Sequence, residues 1–151
     1  MPLIAWRVCK ARYAAYDGTG ALRQGARWNS PGRAAIYASD SFAGALLEIL
    51  AHAVRPRTLP GPHHAIRITI PDDLVETLDP ADLPGWEVKG SPEARRFGDR
   101  WLTEGRTPVL VVPSVASRPI GRTVMINPAH PNAGLIQVDA PFPVPWDERL
   151  F

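Results

Sequence analysis

The side chains best suited to chemistry include one carboxylate placed in an apolar segment. Glu48 lies among Ala, Leu and Ile residues, and His52 follows four positions later, so the two share one face of a helix. Burying a carboxylate without a partner is costly. We therefore expect Glu48 to line a pocket, to bind a partner group or to reach solvent at the edge of its helix.

Four other short segments carry polar side chains that a binding site could use, although each also has an ordinary structural explanation. Arg27 presents a planar fork suited to phosphate or carboxylate, or is simply a surface cation. Trp28 fits a core, Ser114 fits the end of a strand, and Asn127 is a common turn former. The segments are Arg27-Trp28-Asn29-Ser30, Tyr37-Ala38-Ser39, Pro113-Ser114 and Asn127-Pro128-Ala129-His130-Pro131.

The sequence disfavours several classes of site. It contains no phosphate-binding glycine loop, dinucleotide fingerprint, G-x-S-x-G elbow or H-E-x-x-H motif. The four histidines are scattered and Cys9 is the only cysteine, so we predict no metal site and no internal disulfide. The formal net charge is +2 and no basic run occurs, so we expect no direct binding of nucleic acid.

Hydrophobic patterns predict the elements that position these residues. Residues 9–33 are rich in Gly and turn-forming pairs, and we interpret them as a functional or disordered loop that could act as a lid. A helix is predicted from Phe42 to Val54, stopped by Pro56, and a second from Ser91-Pro92 to about Thr103. Strands are predicted over residues 4–8, 34–38, 65–70, 108–112, 123–126 and 135–138.

The chain as a whole predicts one α+β domain over residues 1–151. Its 151 residues, with 45% hydrophobic content, suffice for a single core, and the tail from residue 142 is expected to pack against it. No apolar run approaches the roughly 20 residues of a membrane helix, and the first residues lack a signal-peptide pattern. We therefore expect a cytoplasmic protein that does not associate with membranes.

The two halves of the chain differ in charge. Residues 1–70 contain nine Lys and Arg against three Asp and Glu, whereas residues 71–151 contain eight against twelve. Fifteen of the basic residues are Arg, a composition that codon bias explains in part. An Arg-rich first half is also suited to holding an anionic small molecule.

Several segments of the chain resemble, in order and over nearly the whole length, the RES domain family. The family is named for its Arg, Glu and Ser, which match Arg27, Glu48 and Ser114. The family often has a second Gly at the position of Ala26, and one methyl group is tolerated there unless positive φ is needed. The resembling segments are W-R at 6–7, G-A-R-W-N-S at 25–30, A-I-Y-A-S at 35–39, A-L-L-E-I-L-A-H at 45–52, V-P-S at 112–114, I-N-P-A-H-P at 126–131 and P-F-P-V-P-W-D-E-R-L at 141–150.

The resemblance implies a fold, a reaction and a partner. The fold is similar to that of diphtheria-type ADP-ribosyltransferases, a single α+β domain with a split, mostly antiparallel β core and a few helices. The implied activity is that of a toxin–antitoxin toxin that consumes NAD without a metal and arrests growth, by phosphorolysis or hydrolysis of NAD or by ADP-ribosylating a cytosolic protein. The implied partner is an Xre-type helix-turn-helix antitoxin, which covers the active site in a hetero-oligomer.

The resemblance also assigns roles to residues of this sequence. Glu48 is expected to stabilise the positive charge that develops on the ribose as nicotinamide leaves. The implied catalytic residues are Glu48, Arg27, Tyr37 and Ser114, and the implied NAD-binding residues are Arg7, Arg27, Trp28, Tyr37, Ser39, His52 and Asn127. The alternative is a catalytically inactive RES-fold module that only pairs with a protein partner.

Overall fold

Eight strands form one twisted sheet in the computed structural model, which describes residues 1–53, 57–58 and 60–151. The strand order is β4-β5-β6-β2-β1-β3-β7, and β8 also pairs with β3. All the pairings are antiparallel except the parallel pair β4–β5. The strands are β1 (Leu3–Lys10), β2 (Ile36–Ser39), β3 (His63–Ile70), β4 (Val75–Thr77), β5 (Val109–Pro113), β6 (Arg122–Ile126), β7 (Gln137–Val138) and β8 (Phe142–Pro143).

Strand β6 lies in the sheet between the strand pair β4–β5 and the strands β2, β1, β3 and β7. It pairs along its whole length with β5 on one side and covers every residue of β2 on the other. The sequence predicts this arrangement only in part, because β-branched runs identify β5 and β6 as strands without identifying their neighbours. The α+β architecture with a mostly antiparallel sheet is confirmed.

The sheet is split between β1 and β2, which pair only at Trp6 and Ser39. The Arg7 side chain fills the widening gap: its Nη1 donates to the Tyr37 carbonyl at 2.8 Å and its Nε to the Ala15 carbonyl at 2.9 Å. Burial lowers the pKa of this guanidinium, but its ordinary value is so high that it stays charged. A cation therefore bridges the two halves of the sheet where backbone pairing stops.

Within the described residues, three α-helices accompany the sheet: α1 (Thr19–Gln24), α2 (Phe42–Ala51) and α3 (Pro92–Glu104). The Ser41 side chain caps α2 by accepting the N–H of Gly44, which confirms the predicted start of this helix. The structure ends α2 at Ala51, and the predicted end at Val54 and the stop at Pro56 lie outside the described residues. Helix α3 begins and ends as predicted, with Ser91 as its cap and Gly105 in the left-handed conformation after it.

The segment 9–33, interpreted from the sequence as a loop without structure, contains regular elements. Strand β1 continues to Lys10, and α1 begins at Thr19. The Asp17 carboxylate accepts hydrogen bonds from the backbone N–H and the hydroxyl of Thr19. These two bonds hold the first turn of α1, which begins between Gly18 and Gly20. The sequence signals turns here because Gly18 and Gly20 dominate the local propensity.

Differences elsewhere are smaller. Short 3₁₀ turns and β4 occupy a stretch around residues 72–82 that the sequence presents only as turn-rich. Leu135 ends a 3₁₀ turn, so the predicted strand 135–138 is reduced to Gln137–Val138. The tail packs as expected, because β8 extends the sheet and the Trp146 ring meets the His63 ring edge-on at 5.4 Å.

The core lies on both faces of the sheet. Along β5, Val109 and Val111 join one buried cluster while Leu110 and Val112 join the other, as strand alternation requires. The second cluster contains the rings of Trp28, Trp86 and Trp101 and packs α3 against the sheet. This face supports the loop that carries Arg27.

Candidate active site

A cleft of about 520 Å³ opens at the edge of the sheet where β2 and β5 end. Its volume lies within the usual range of small-molecule sites. It is lined by residues from β1, α1, the loop before β2, β2 itself, α2 and the end of β5. The predicted site residues that line it are Arg7, Arg27, Trp28, Tyr37, Ser39, Glu48 and His52.

Glu48 projects from α2 into this cleft and is partly buried. Its Oε1 accepts a hydrogen bond from the Ser114 hydroxyl at 3.0 Å. Its Oε2 lies 3.8 Å from Nδ1 of His52, one helical turn later. One oxygen of the Glu48 carboxylate is therefore bonded to Ser114, while the rest of the group is accessible from the cleft.

Ser114 is buried directly after β5, next to the cleft-lining residues Pro113 and Val115. Its oxygen accepts the backbone N–H of Ser117 at 3.3 Å, so its own hydrogen is free to be donated to Glu48. The hydroxyl is therefore oriented by the backbone on one side and orients the carboxylate on the other. This geometry is that of a positioning residue.

Arg27 lies in a loop whose backbone and side chain are both fixed. Its Nη1 donates to the carbonyls of Trp86 and Val88, at 3.1 and 2.8 Å. Since Nη1 carries both of these bonds, Nε and Nη2 keep their donors for another partner. Neighbouring Gly25 has a φ of 70°, whereas Ala26 does not have positive φ, so the extra methyl group of Ala26 costs no backbone strain.

A buried amide holds Tyr37 in place. The Tyr37 hydroxyl donates to Oδ1 of Asn29 at 2.7 Å, and Nδ2 of Asn29 donates to the carbonyls of Ala21 and Ser30. Burial raises the pKa of the Tyr37 hydroxyl, which therefore stays neutral and keeps its one hydrogen for the bond to Asn29. Asn29 is fully buried, and no pattern in the sequence distinguishes it from its neighbours.

Helix α3 packs against the loop of residues 27–30 and holds it in place. The Asp99 carboxylate accepts the backbone N–H of Ser30 at 2.7 Å and its hydroxyl at 2.6 Å. Gly98, one residue earlier, lets the helix approach the Trp28 carbonyl so closely that a Cβ would lie 1.7 Å from that oxygen. Sequence reasoning missed both residues, because neither lies near the motif in the chain.

Trp28 belongs mainly to the core. It is 2% exposed, and its ring stacks on that of Trp86 with centroids 6.2 Å apart. It borders the cleft but leaves almost no ring surface for a ligand, so its contribution is to hold the adjacent Arg27 in place.

The prediction that Asn127 belongs to this site is wrong in its geometry. Asn127 follows β6 and its N–H bonds to the Pro108 carbonyl before β5, whereas Ser114 follows β5. Because the two strands are antiparallel, these residues lie at opposite edges of the sheet. Thr123, at the start of β6, lies on the cleft side instead.

Two absences concern the residues that the structure describes, 1–53, 57–58 and 60–151. Among them, no group of three or more His, Cys, Asp or Glu side chains is placed to hold a metal ion. Within the same ranges, no helix has the length and apolar character needed to cross a membrane.

The chain is similar to known proteins over nearly its whole length. The profile of the RES domain family matches residues 4–147. A protein named Toxin Res from Pseudomonas putida is 37% identical over 151 residues, covering 99% of this chain and 100% of its own. A Prs ADP-ribosylating toxin from Sphingobium sp. is 39% identical over 137 residues, covering 85% of this chain and 84% of its own.

A solved structure shares the fold. It is the crystal structure of the M. tuberculosis MbcT–MbcA toxin–antitoxin complex, with a TM-score of 0.69 and 21% sequence identity. The match covers 95% of this chain and 85% of that chain.

Proposed function

Since the chain belongs to the RES domain family, we propose that it is a bacterial toxin that cleaves the nicotinamide–ribose bond of NAD. Two relatives support this reading, one named Toxin Res and one named for ADP-ribosylation, a reaction that takes its ADP-ribose from NAD. The observation that carries the proposal is the Glu48 carboxylate, held by Ser114 in a cleft that also contains two guanidinium groups.

The reaction needs little more than one oriented carboxylate. The C–N bond between ribose and nicotinamide breaks, and nicotinamide leaves with the bonding electron pair as a neutral molecule. The ribose carbon gains oxocarbenium character, which a nearby carboxylate stabilises. An acceptor oxygen from water, phosphate or a protein side chain then bonds to this carbon and loses its proton.

The charges of the cleft fit NAD. The substrate carries a pyrophosphate, and Arg27 offers it an unused guanidinium edge. Arg7 keeps fewer donors because three backbone carbonyls accept hydrogen bonds from it, so its contribution to a second phosphate is mainly electrostatic. Tyr37, Ser39 and His52 remain our proposed contacts for the nicotinamide and ribose ends.

We further propose that the protein acts in the cytoplasm, where NAD is plentiful, and is held inactive by an antitoxin of the Xre type. The structural neighbour was solved as a toxin–antitoxin complex, which supports a protein partner of that class. A segment of the antitoxin that covers the cleft would keep NAD away from Glu48. The complex would then be a hetero-oligomer.

The test is to incubate NAD with the purified, antitoxin-free protein and follow phosphorus and proton NMR spectra, with and without phosphate. Free nicotinamide appears if the protein breaks down NAD without a protein target. ADP-ribose-1″-phosphate identifies phosphorolysis, and free ADP-ribose identifies hydrolysis. If NAD persists, transfer of labelled ADP-ribose to proteins of a cell extract is measured next, and its absence as well would favour the inactive binding module.

A further inference from the structure

The segment Ile126–Pro131, which the cleft around Glu48 does not use, borders a second cavity of about 380 Å³. This cavity lies at the opposite edge of the sheet, where β6 ends and α3 finishes. Helix α1 separates the two spaces: Ala21 and Gln24 line the cleft, whereas Leu22 lines the second cavity. The second cavity therefore has its own walls and its own polar groups.

One of these polar groups is a buried amide with an unused donor. Asn127 is 6% exposed, and its Oδ1 accepts the backbone N–H of Ala129 at 3.1 Å. That bond fixes which end of the amide is oxygen, so the Nδ2 group is a donor on the cavity side. Nδ2 has no hydrogen-bond partner among the described residues. Nδ2 is not one of the fully buried side-chain atoms that lack a partner, so it is accessible to solvent and a ligand can reach it.

Two more donors border the same cavity. Nδ1 of His130 accepts the N–H of Asn132 at 3.0 Å, so the hydrogen of the neutral ring is on Nε2. Arg33 is exposed and forms neither an ion pair nor a side-chain hydrogen bond within the part of the chain that is described. A neutral amide, an imidazole N–H and a guanidinium cation are thus available in one place.

The rest of the wall is mostly apolar and includes Leu22, Leu102 and Pro131. The C-terminal end of α3 also borders the cavity and carries a partial negative charge, which opposes an anion. The Arg33 cation must outweigh this charge. It is therefore the group on which any anion in this cavity depends most.

We propose that the second cavity binds a small organic anion. Its carboxylate or phosphate oxygens accept hydrogen bonds from Asn127, His130 and Arg33, and its apolar part packs against Leu22 and Leu102. The site uses none of the residues that line the cleft around Glu48, so it stands or falls independently of the proposed function.

The test uses two probes with the same ring and different anionic heads, phenyl phosphate and benzoate. Each is titrated into ¹⁵N-labelled full-length protein while the side-chain amide signals of Asn127 and the backbone signals near His130 are recorded. The Asn127→Asp variant, which keeps the oxygen that accepts the Ala129 N–H, identifies the side-chain signal because it lacks it. Arg33→Gln removes the cation, and Arg96→Gln on the exposed side of α3 is the control with the same change of charge.

We expect at least one of the two probes to shift the side-chain amide signals of Asn127, and the shift should reach a plateau as the probe concentration rises. Charge-assisted hydrogen bonds of this kind predict a loss of affinity of about tenfold or more in Arg33→Gln and none in Arg96→Gln. Asn127→Asp should abolish the binding because it replaces a donor with a negative charge. The proposal is overturned if neither probe moves these signals, or if Arg33→Gln binds as well as Arg96→Gln.

Discussion

Glu48 and Ser114 form a hydrogen-bonded pair, and the two residues differ in their surroundings. Glu48 faces the cleft, while Ser114 is buried and bonded on both sides. A carboxylate on a helix has several rotamers, and the hydroxyl selects one of them. In the mechanism that we propose, the pair therefore separates the charge that acts on the substrate from the group that holds that charge in place.

Replacing Glu48 with Gln keeps the size and the hydrogen bond to Ser114 but removes the negative charge. We expect kcat for NAD cleavage to fall by about 100- to 1000-fold while KM changes little, because the charge matters most in the transition state. Steady-state kinetics measure both, with exposed Glu148→Gln as the control. Full activity in Glu48→Gln would remove this residue from the mechanism.

Ser114→Ala should lower kcat by about tenfold with little change in KM, because the carboxylate loses its orientation but keeps its charge. Ser114→Thr retains a hydroxyl and is expected to restore most of the activity. Thermal unfolding of both variants shows whether the fold has changed. An increase in KM at constant kcat would instead indicate that Ser114 binds the substrate directly.

Helix α3 matters to the site although no part of it lines the cleft. It supports the Arg27–Ser30 loop through the close approach at Gly98 and the two hydrogen bonds to Asp99. The loop residues Trp28 and Asn29 are buried as a result. The position of Arg27 is thus set by an element that follows it by about 70 residues in the sequence.

A methyl group at Gly98 should separate this helix from the loop. In Gly98→Ala the new Cβ would lie 1.7 Å from a backbone oxygen that cannot rotate away, so we expect a loss of at least about 2 kcal/mol in stability. KM for NAD should also rise as Arg27 shifts. Calorimetry and kinetics check both effects, and Gly134→Ala, where the added Cβ meets nothing within 4 Å, should behave like the parent.

Elements with a strong local pattern could be predicted from the sequence, and so could the residues that they carry into the cleft. The alternation of Ile66, Ile68 and Ile70 and the caps of α2 and α3 are local signals. The position of Asn127 could not be predicted, because it depends on the direction of β6 relative to β5. The contact between Asp99 and Ser30 likewise depends on packing between distant segments.

At the scale of the whole molecule, we expect production of the protein without its antitoxin to stop bacterial growth, because NAD or an essential target would be consumed. The experiment induces expression in cells that lack an antitoxin gene and follows cell number and NAD content. Glu48→Gln should permit growth at equal protein level, whereas Glu148→Gln should not. Normal growth with abundant, soluble unaltered protein would favour the inactive binding module.

Because β6 pairs with both β2 and β5, a ribosome must translate beyond Ile126 before the cleft can form. Glu48 and Ser114 are both made before β6, which spans Arg122–Ile126 and lies in the sheet between β2, the strand before α2, and β5, the strand that ends beside Ser114. A nascent chain that stops short of β6 contains both residues but lacks the strand that brings them together. Synthesis interrupted before β6 would therefore yield fragments without an assembled cleft, and the proposed antitoxin segment that covers the cleft would have no site on them.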